Sequence, residues 1–228
     1  MIAIITARGG SKRIPKKNIK DFLGKPIIAY SIEAAKKSGL FETVMVSTDS
    51  EEIKNVALQY GAEVPFMRSE ATSNDFATTK DVLVEVINEY KKMGKVFDEF
   101  ACIYPTAPLI TGEILKDSYH LFKEKNASSL IPVVRFSFPP QRGLICNEDS
   151  VRPWDKDSIK KRSQDLDVIY HDVGAFYYFK TADFLSSLEI ITNKTVPYIM
   201  NAMHVQDIDS MDDWEIAEHK YKFINKQT

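Results

Sequence analysis

The sequence of 228 residues is poor in several features that define common classes of protein. Its two cysteines, Cys102 and Cys146, are not spaced as a metal or redox motif, which suits a reducing compartment and predicts a cytoplasmic location. The first apolar run, residues 2–7, is too short for a secretion signal, and no run approaches the roughly 20 apolar residues of a membrane span. A formal net charge of -2 disfavours a protein that coats nucleic acid. We therefore expect neither a membrane nor a nucleic acid as a partner.

Apolar, β-branched runs alternate with amphipathic stretches along most of the chain. This alternation predicts an α/β fold with a mostly parallel sheet and helices on both faces. We expect strands at 2–6, 43–48, 63–66, 100–104 and 129–134, further regular apolar segments at 175–179 and 198–205, and helices at 26–39, 50–61, 79–93, 111–124 and from about 211 onwards.

The composition and length predict one domain, residues 1–228, because 44% hydrophobic residues suffice for one sizeable core. The regular alternation breaks between residues 135 and 165, where proline and charged residues are frequent. We interpret this segment as a small lobe inserted into the domain.

The loop after the first predicted strand, ARGGSKRIPKKN at residues 7–18, carries five cations around two glycines. Ligands of α/β sheets bind at the carboxyl ends of strands, and backbone N–H groups together with cations attract anions, so we predict a phosphate site. A dinucleotide-binding G-x-G-x-x-G pattern is absent, and Gly24-Lys25 is followed by proline where a P-loop needs Ser or Thr. A solvated run of surface charge is the alternative.

Asp207 and Asp209 give the strongest metal signal in the chain. Residues two apart in an extended segment face the same side, so both carboxylates would point to one site while Ile208 points into the core. Two oxygen anions beside a phosphate site suit Mg²⁺. The alternative is that both are solvated turn residues ahead of a helix.

The chain resembles the cytidylyltransferases that activate sialic acids and related nine-carbon sugars as CMP conjugates. Besides the opening loop, the resemblance rests on the segments GKPIIAYSI (24–32), VSTD (46–49), PTAPL (105–109), RSQDL (162–166), YHDVGAFY (170–177) and QDIDSMDDW (206–214). Within this family, RSQDL joined to YHD is most similar to the enzymes that use pseudaminic acid. The resemblance implies a Rossmann-like nucleotidyltransferase fold, similar to that of glycosyltransferase-A enzymes, and a homodimer formed by the inserted lobe. The mixture of Phe136, Phe138, Trp154 and charged residues in this lobe equally suits a flap of a monomer.

The reaction that this resemblance implies joins CTP to a nonulosonic acid, giving the CMP-sugar and pyrophosphate for bacterial surface glycans or flagellin glycosylation. Mg²⁺ is the expected cofactor. Pseudaminic acid is the expected sugar, and legionaminic, N-acetylneuraminic and 3-deoxy-manno-octulosonic acids are alternatives. From a different class, a nucleotide-binding sensor without turnover is also an alternative.

The family's motifs imply roles for individual positions of this sequence. The expected catalytic residues are Arg8, Lys17 and Asp209, and the expected metal ligands are Asp207 and Asp209. The expected nucleotide-binding residues are Ala7, Arg8, Gly9, Gly10, Ser11, Lys17, Asn18, Asn74 and Thr78. The expected sugar-binding residues are Tyr104, Arg162, Gln164, His171 and Asp172. The family's motifs assign a role less clearly to the remaining loop cations, Lys12, Arg13 and Lys16, and Lys16 is expected to face solvent.

The sugar-binding assignments include two departures from many sialic acid enzymes. Tyr104 stands where those enzymes place glutamine, and His171-Asp172 stands where they place Pro-Asn. Both departures favour a different sugar stereochemistry. Arg162 suits the sugar's carboxylate because its planar fork can form two hydrogen bonds, although KKRS could instead be a surface charge run.

Overall fold

The computed structural model describes residues 1–226 of the chain. Its strands are β1 (Ile2–Thr6), β2 (Asp21–Phe22), β3 (Lys25–Pro26), β4 (Thr43–Ser47), β5 (Glu99–Ile103), β6 (Ser129–Arg135), β7 (Leu144–Cys146), β8 (Val151–Pro153), β9 (Tyr170–Asp172), β10 (Phe176–Lys180) and β11 (Thr195–Ile199). Its helices are α1 (Ile27–Ser38), α2 (Glu51–Gln59), α3 (Glu70–Ser73), α4 (Thr79–Lys92), α5 (Gly112–Glu124), α6 (Thr181–Ser187) and α7 (Met211–Lys226).

A seven-stranded sheet in the order β11-β6-β10-β5-β1-β4, with β9 beside β6, forms the centre of the molecule. β1 pairs in parallel with both β4 and β5, and β11 pairs in parallel with β6. β10 lies antiparallel between β5 and β6, and β9 is antiparallel to β6. The predicted mostly parallel sheet is confirmed, with β10 as its antiparallel interior strand.

Both faces of the sheet are covered by helices, as predicted. The alternating side chains of β1 divide between two cores, with Ile5 on one face and Ile4 on the other. Buried residues of α1, α2 and α5 pack on the first face, and those of α4 and α6 pack on the second. Each fully buried aliphatic side chain contributes about 1.5–3 kcal/mol of transfer free energy, so the two cores hold the strand ends in fixed positions.

A third cluster attaches the chain's C-terminal helix to its first loop. Ile14, Phe22, Ile208 and Trp214 are buried together, and the Phe22 ring meets the Trp214 ring at a centroid distance of 5.5 Å. Ile208 is fully buried, which confirms its predicted inward direction. This cluster brings the loop that follows β1 next to the segment that carries Asp207 and Asp209.

Two of the predicted regular segments are wrong. Residues 63–66 form only one isolated bridge, between Glu63 and Met45; Pro65, which has no N–H to donate, interrupts the segment. Residues 198–205 are not one strand: β11 ends at Ile199, and the Asn201 side chain accepts a hydrogen bond from the Met203 N–H, which starts a short 3₁₀ turn.

The chain leaves the sheet after β6 and returns to it at β9. The intervening residues 136–169 include most of the segment interpreted as an inserted lobe. The excursion contains the β7–β8 hairpin and several short 3₁₀ turns. It also exposes large apolar side chains, among them Phe138, Leu144, Val151, Trp154 and Val168. Within residues 1–226, no helix combines the length and the apolar character needed to cross a bilayer.

Candidate active site

A cavity of about 610 Å³ opens at the carboxyl ends of β1 and β5. Its walls are the loop that follows β1, the segment from Arg68 to Thr79, and residues 104–106 after β5. The cavity therefore lies where ligands of α/β sheets bind, and its position agrees with the predicted phosphate site.

The loop that follows β1 is held by its own Asn18 side chain and by Ser47 and Asp49, at and just after the end of β4. The buried Asn18 side chain donates from Nδ2 to the Arg8 carbonyl oxygen at 2.9 Å, and the Gly9 N–H donates to Asp49 Oδ1 at 2.8 Å. The Ala7 N–H donates to the Ser47 carbonyl oxygen at 2.9 Å. A side chain at Gly9 would place its Cβ 3.2 Å from the Ser50 Cβ, so this position favours glycine. No such crowding occurs at Gly10.

Two loop cations reach across the mouth of the cavity to one carboxylate. Arg8 Nη1 donates to Asp75 Oδ1 at 3.0 Å, and Lys12 Nζ lies 2.5 Å from Asp75 Oδ2. Hydrogen bonding to Lys12, followed by its charge and by Arg8, lowers the pKa of Asp75. Lys16 points elsewhere and pairs with Glu52 at 2.8 Å. Arg8, Ser11 and Lys12 line the cavity, whereas Lys16 is exposed, as expected.

The second group of loop cations meets the acidic pair. Lys17 Nζ donates to the Ile208 carbonyl oxygen at 2.6 Å and lies 3.5 Å from Asp209 Oδ1, which Arg13 Nη2 approaches to 2.7 Å. Partial removal from water, followed by the nearby Asp209 charge, raises the pKa of Asp207. Arg13 and Lys17 line the cavity, and their contacts bring Asp209, with its neighbour Asp207, next to the cavity wall, although neither aspartate lines the cavity itself.

The side chains that offer oxygen ligands to a Mg²⁺ ion at this point are Asp207 and Asp209. Within residues 1–226, no group of three or more His, Cys, Asp or Glu side chains could hold a metal ion. Mg²⁺ in phosphate-transfer sites is commonly held by one or two carboxylates together with substrate phosphates and water. Asp207 and Asp209 offer that number of carboxylates, so the donor set fits such an ion, although Asp209 is paired with Arg13 and Lys17 here. Mg²⁺ binding itself stays a prediction.

Asn74 and Thr78 line the cavity, but their side chains already serve the local backbone. Asn74 Oδ1 accepts hydrogen bonds from the N–H groups of Phe76 and Ala77, at 2.9 and 3.1 Å. Thr78 Oγ1 caps α4 by accepting from the Asp81 N–H. Both residues shape the wall of the cavity through these bonds, and contact with a nucleotide stays a prediction.

Arg68 is a cavity residue that the sequence analysis missed. It is buried, and its guanidinium donates from Nε to Ser47 Oγ at 3.0 Å and from Nη2 to the Ser47 carbonyl oxygen at 2.6 Å. Burial lowers its pKa. Because both hydrogen-bond partners are neutral oxygen atoms of Ser47, the positive charge of Arg68 stays available to an anionic ligand in the cavity. The sequence shows there only a lone arginine between an apolar stretch and Ser69, the residue before α3.

On the sugar-binding side, Tyr104 lines the cavity and continues into a group of polar side chains. Its ring lies edge-on to the buried Tyr177 ring at 5.7 Å, and Tyr177 Oη donates to Asp172 Oδ2 at 2.6 Å. Burial raises the pKa of both tyrosines. His171 Nδ1 lies 2.9 Å from the Asp172 carbonyl oxygen. Tyr177 is a second residue that the sequence analysis missed.

The structure does not bring Arg162 or Gln164 to the lining of the cavity. Arg162 is 73% exposed and donates from Nε and Nη2 to the two carboxylate oxygens of Asp165, at 2.8 and 3.1 Å. Gln164 is exposed on the same lobe. Their proposed contact with a sugar stays a prediction.

Comparison with known proteins shows which family the chain belongs to. A model of the cytidylyltransferase family matches residues 2–213. The chain is 42% identical over 222 residues to the pseudaminic acid cytidylyltransferase of Campylobacter jejuni, covering 97% of this chain and 96% of that protein. It is 31% identical over 227 residues to the CMP-N,N'-diacetyllegionaminic acid synthase of Legionella pneumophila, covering 96% and 94%.

Among solved structures, a CMP:2-keto-3-deoxy-manno-octonic acid synthetase complexed with CTP matches with a TM-score of 0.68. The match covers 100% of this chain and 99% of that chain at 17% sequence identity, which shows a shared fold. The cavity lies at the strand ends of this fold, and the family match extends over almost the whole chain. The chain therefore belongs to the cytidylyltransferase family.

Proposed function

We propose that the chain transfers the CMP group of CTP to pseudaminic acid and releases pyrophosphate. The observation that carries the proposal is a cavity at the strand ends whose wall presents Arg8, Lys12 and Lys17, in a chain of the cytidylyltransferase family. The choice of sugar is supported by the 42% identity, over almost the full length, to a pseudaminic acid cytidylyltransferase.

In the proposed reaction, the anomeric hydroxyl of the sugar attacks the α-phosphorus and loses its proton to solvent, and the bond from that phosphorus to the bridging oxygen of pyrophosphate breaks. Negative charge grows on the leaving phosphates. Arg8 and Lys17 stabilise this charge, because cations fixed near the leaving group interact more strongly with the transition state than with the ground state. The hydrogen bond from Asn18 to the Arg8 carbonyl and the one from the Gly9 N–H to Asp49 hold the loop in place before CTP arrives.

Asp207 and Asp209 are the residues proposed to hold Mg²⁺. When bound, this ion would neutralise phosphate oxygens and acidify the attacking hydroxyl. In the free protein, Lys17 and Arg13 orient the Asp209 carboxylate. The buried Ile208 between the two aspartates fixes the backbone from which both carboxylates extend.

The sugar is proposed to contact Tyr104, which lines the cavity, together with His171 and Asp172, which lie outside its lining and are linked to Tyr104 through Tyr177. Tyr177 fixes the direction of the Asp172 carboxylate through their 2.6 Å hydrogen bond. A site built from oriented polar groups discriminates strongly between stereoisomers, since a mismatched sugar leaves buried donors or acceptors unpaired.

The proposal includes a homodimer formed through residues 135–165. This lobe exposes Phe138, Leu144 and Trp154, which are the kinds of side chain that an interface buries. Arg162 and Gln164 do not line the cavity of their own chain, so in a dimer the lobe of one protomer can supply them to its partner's site. The reaction is assigned to the cytoplasm, which agrees with two unpaired thiols.

A pyrophosphate-release assay tests the proposal. The purified protein is incubated with CTP, Mg²⁺ and one of four acids: pseudaminic, legionaminic, N-acetylneuraminic or 3-deoxy-manno-octulosonic acid. We expect release with pseudaminic acid and with CTP in preference to UTP. Equal or faster release with another acid would reassign the sugar. Binding of CTP without release for any acid would support the nucleotide sensor instead.

A further inference from the structure

Asp75 occupies an unusual place in the cavity, because it is an anion among the residues expected to receive an anion. It lines the cavity together with Arg8 and Lys12. Each of its carboxylate oxygens contacts one of these cations, at 3.0 Å for Arg8 and 2.5 Å for Lys12. These partners are 67 and 63 residues away along the chain, so the contacts join the two walls of the cavity.

Few contacts connect the segment that carries Asp75 to the opposite wall of the cavity. This segment is the turn between α3 and α4, and Asn74 holds that turn through bonds to Phe76 and Ala77. Phe76 is 93% exposed, so no core contact fixes the tip of the turn. Besides the two ion pairs, the link to the opposite wall is a hydrogen bond from Arg8 Nη1 to the Asn74 carbonyl oxygen at 3.3 Å.

A phosphate that enters the cavity therefore meets cations that already have a partner. Two phosphate oxygens can take the places of the two Asp75 oxygens, since both ligands offer paired anionic acceptors to guanidinium and ammonium donors. This exchange breaks the two ion pairs of Asp75 and leaves its carboxylate solvated by water. Because the pairs are exposed, the cost of breaking them is modest and can be overcome by a multiply charged ligand.

We propose that Asp75 is a positioning residue that competes with the triphosphate. It holds Arg8 and Lys12 in place while the cavity is free, and it lowers the affinity of the cavity for polyphosphates. The inference rests on the proposed function only in taking this cavity as the triphosphate site. By weakening the binding of the leaving pyrophosphate as well as that of CTP, Asp75 would favour product release.

The test is calorimetric titration of Asp75→Asn with inorganic pyrophosphate, and separately with CTP, at low ionic strength without divalent metal. Asparagine keeps the size of the side chain and removes its charge. We expect the Kd for pyrophosphate to fall by about 3- to 10-fold, the range for loss of one or two exposed ion pairs. The matched control is Glu52→Gln, which removes the same charge from the Lys16 pair outside the cavity, and we expect a change below about twofold.

A double-mutant cycle separates direct competition from a general change of charge. In a Lys12→Gln background, direct competition predicts that Asp75→Asn yields a smaller gain in affinity, because one of the two pairs is already gone. An equal gain in both backgrounds, or an equal gain from Glu52→Gln, would overturn the inference. Unchanged or weaker binding by Asp75→Asn would also overturn it, as would a cavity that binds no pyrophosphate in any variant.

The proposed function has a separate readout in this experiment. If wild-type protein releases pyrophosphate from CTP and pseudaminic acid while Asp75→Asn binds like wild type, only the inference about Asp75 fails. If CTP is neither bound nor turned over by wild-type protein, the proposed function fails as well. Circular dichroism of each variant checks that the exposed substitutions leave the fold unchanged.

Discussion

Replacement of Arg8 by alanine, with Lys16→Ala as its matched control, separates a focused triphosphate site from a diffuse field of surface charge. Both residues are cations of the same loop, and each forms an ion pair with a carboxylate, Asp75 for Arg8 and Glu52 for Lys16. They differ in position. The Arg8 side chain is 39% exposed and lines the cavity, whereas the Lys16 side chain is 67% exposed and does not line it.

The expected magnitudes follow from these positions. Loss of one fixed electrostatic stabiliser of a transition state lowers kcat by about 10²- to 10³-fold, and we expect a loss of this size for Arg8→Ala. Removal of an exposed ion pair changes the free energy of unfolding by about 0–1 kcal/mol, so Lys16→Ala should alter stability slightly and kcat by less than about threefold. Thermal melts of both variants should stay close to that of wild type.

The assay is pyrophosphate release at saturating CTP and sugar, repeated at low and high salt. A focused site predicts a large loss for Arg8→Ala that persists at high salt, because partly buried charges are screened little. Equal, modest losses in both variants that disappear with added salt would refute the reasoning and indicate a diffuse field.

Three further predictions concern the metal pair, the loop and the assembly. Asp209→Asn should keep the fold and lower kcat by at least about 10²-fold, and an unchanged rate at saturating Mg²⁺ would contradict its role. Asn18→Ala leaves the Arg8 carbonyl without its 2.9 Å partner, so urea unfolding should show a loss of about 1–3 kcal/mol together with a higher KM for CTP; wild-type stability would contradict this account of the loop. Sedimentation at micromolar concentration should give a dimer, and a species of only 26.0 kDa would remove the proposed role of the lobe.

The parts of the site that could be predicted from sequence are those that depend on short-range patterns. An apolar run followed by glycines and cations identified β1 and its loop, and the period of two in Asp207-Ile208-Asp209 predicted that Ile208 is buried. The Ser210 cap of the last helix is also local, and its hydroxyl accepts from the Asp213 N–H. Such features need no information about distant residues.

The parts that could not be predicted depend on pairs of residues that are far apart in sequence. Nothing near Arg13 indicates that it meets Asp209, and nothing near Asp75 indicates that it meets Lys12. Those contacts arise because the third core cluster and the parallel strands bring separate loops to one edge of the sheet. The sequence did not indicate the place of Arg68 for the same reason, because its partner Ser47 lies 21 residues away, at the end of β4.

The sequence pattern also did not predict the direction of each strand. β10 is as apolar as its neighbours, and its residues are buried on both faces of the sheet, which is also typical of parallel strands. Its antiparallel direction follows from the path of residues 136–169, which return the chain to the same end of the sheet that β6 left, so that Tyr170 lies beside Arg135. That path places β9, with His171 and Asp172, directly beside β6.

The most direct test of the proposed function is the ratio of kcat/KM for pseudaminic acid to that for N-acetylneuraminic acid, measured with CTP in the same preparation. The account predicts a ratio of at least about 10³, within the range that oriented polar groups can reach. His171→Ala should narrow the ratio by harming the preferred sugar more than the poor one. A wild-type ratio near one, or a preference for N-acetylneuraminic acid, would contradict the account.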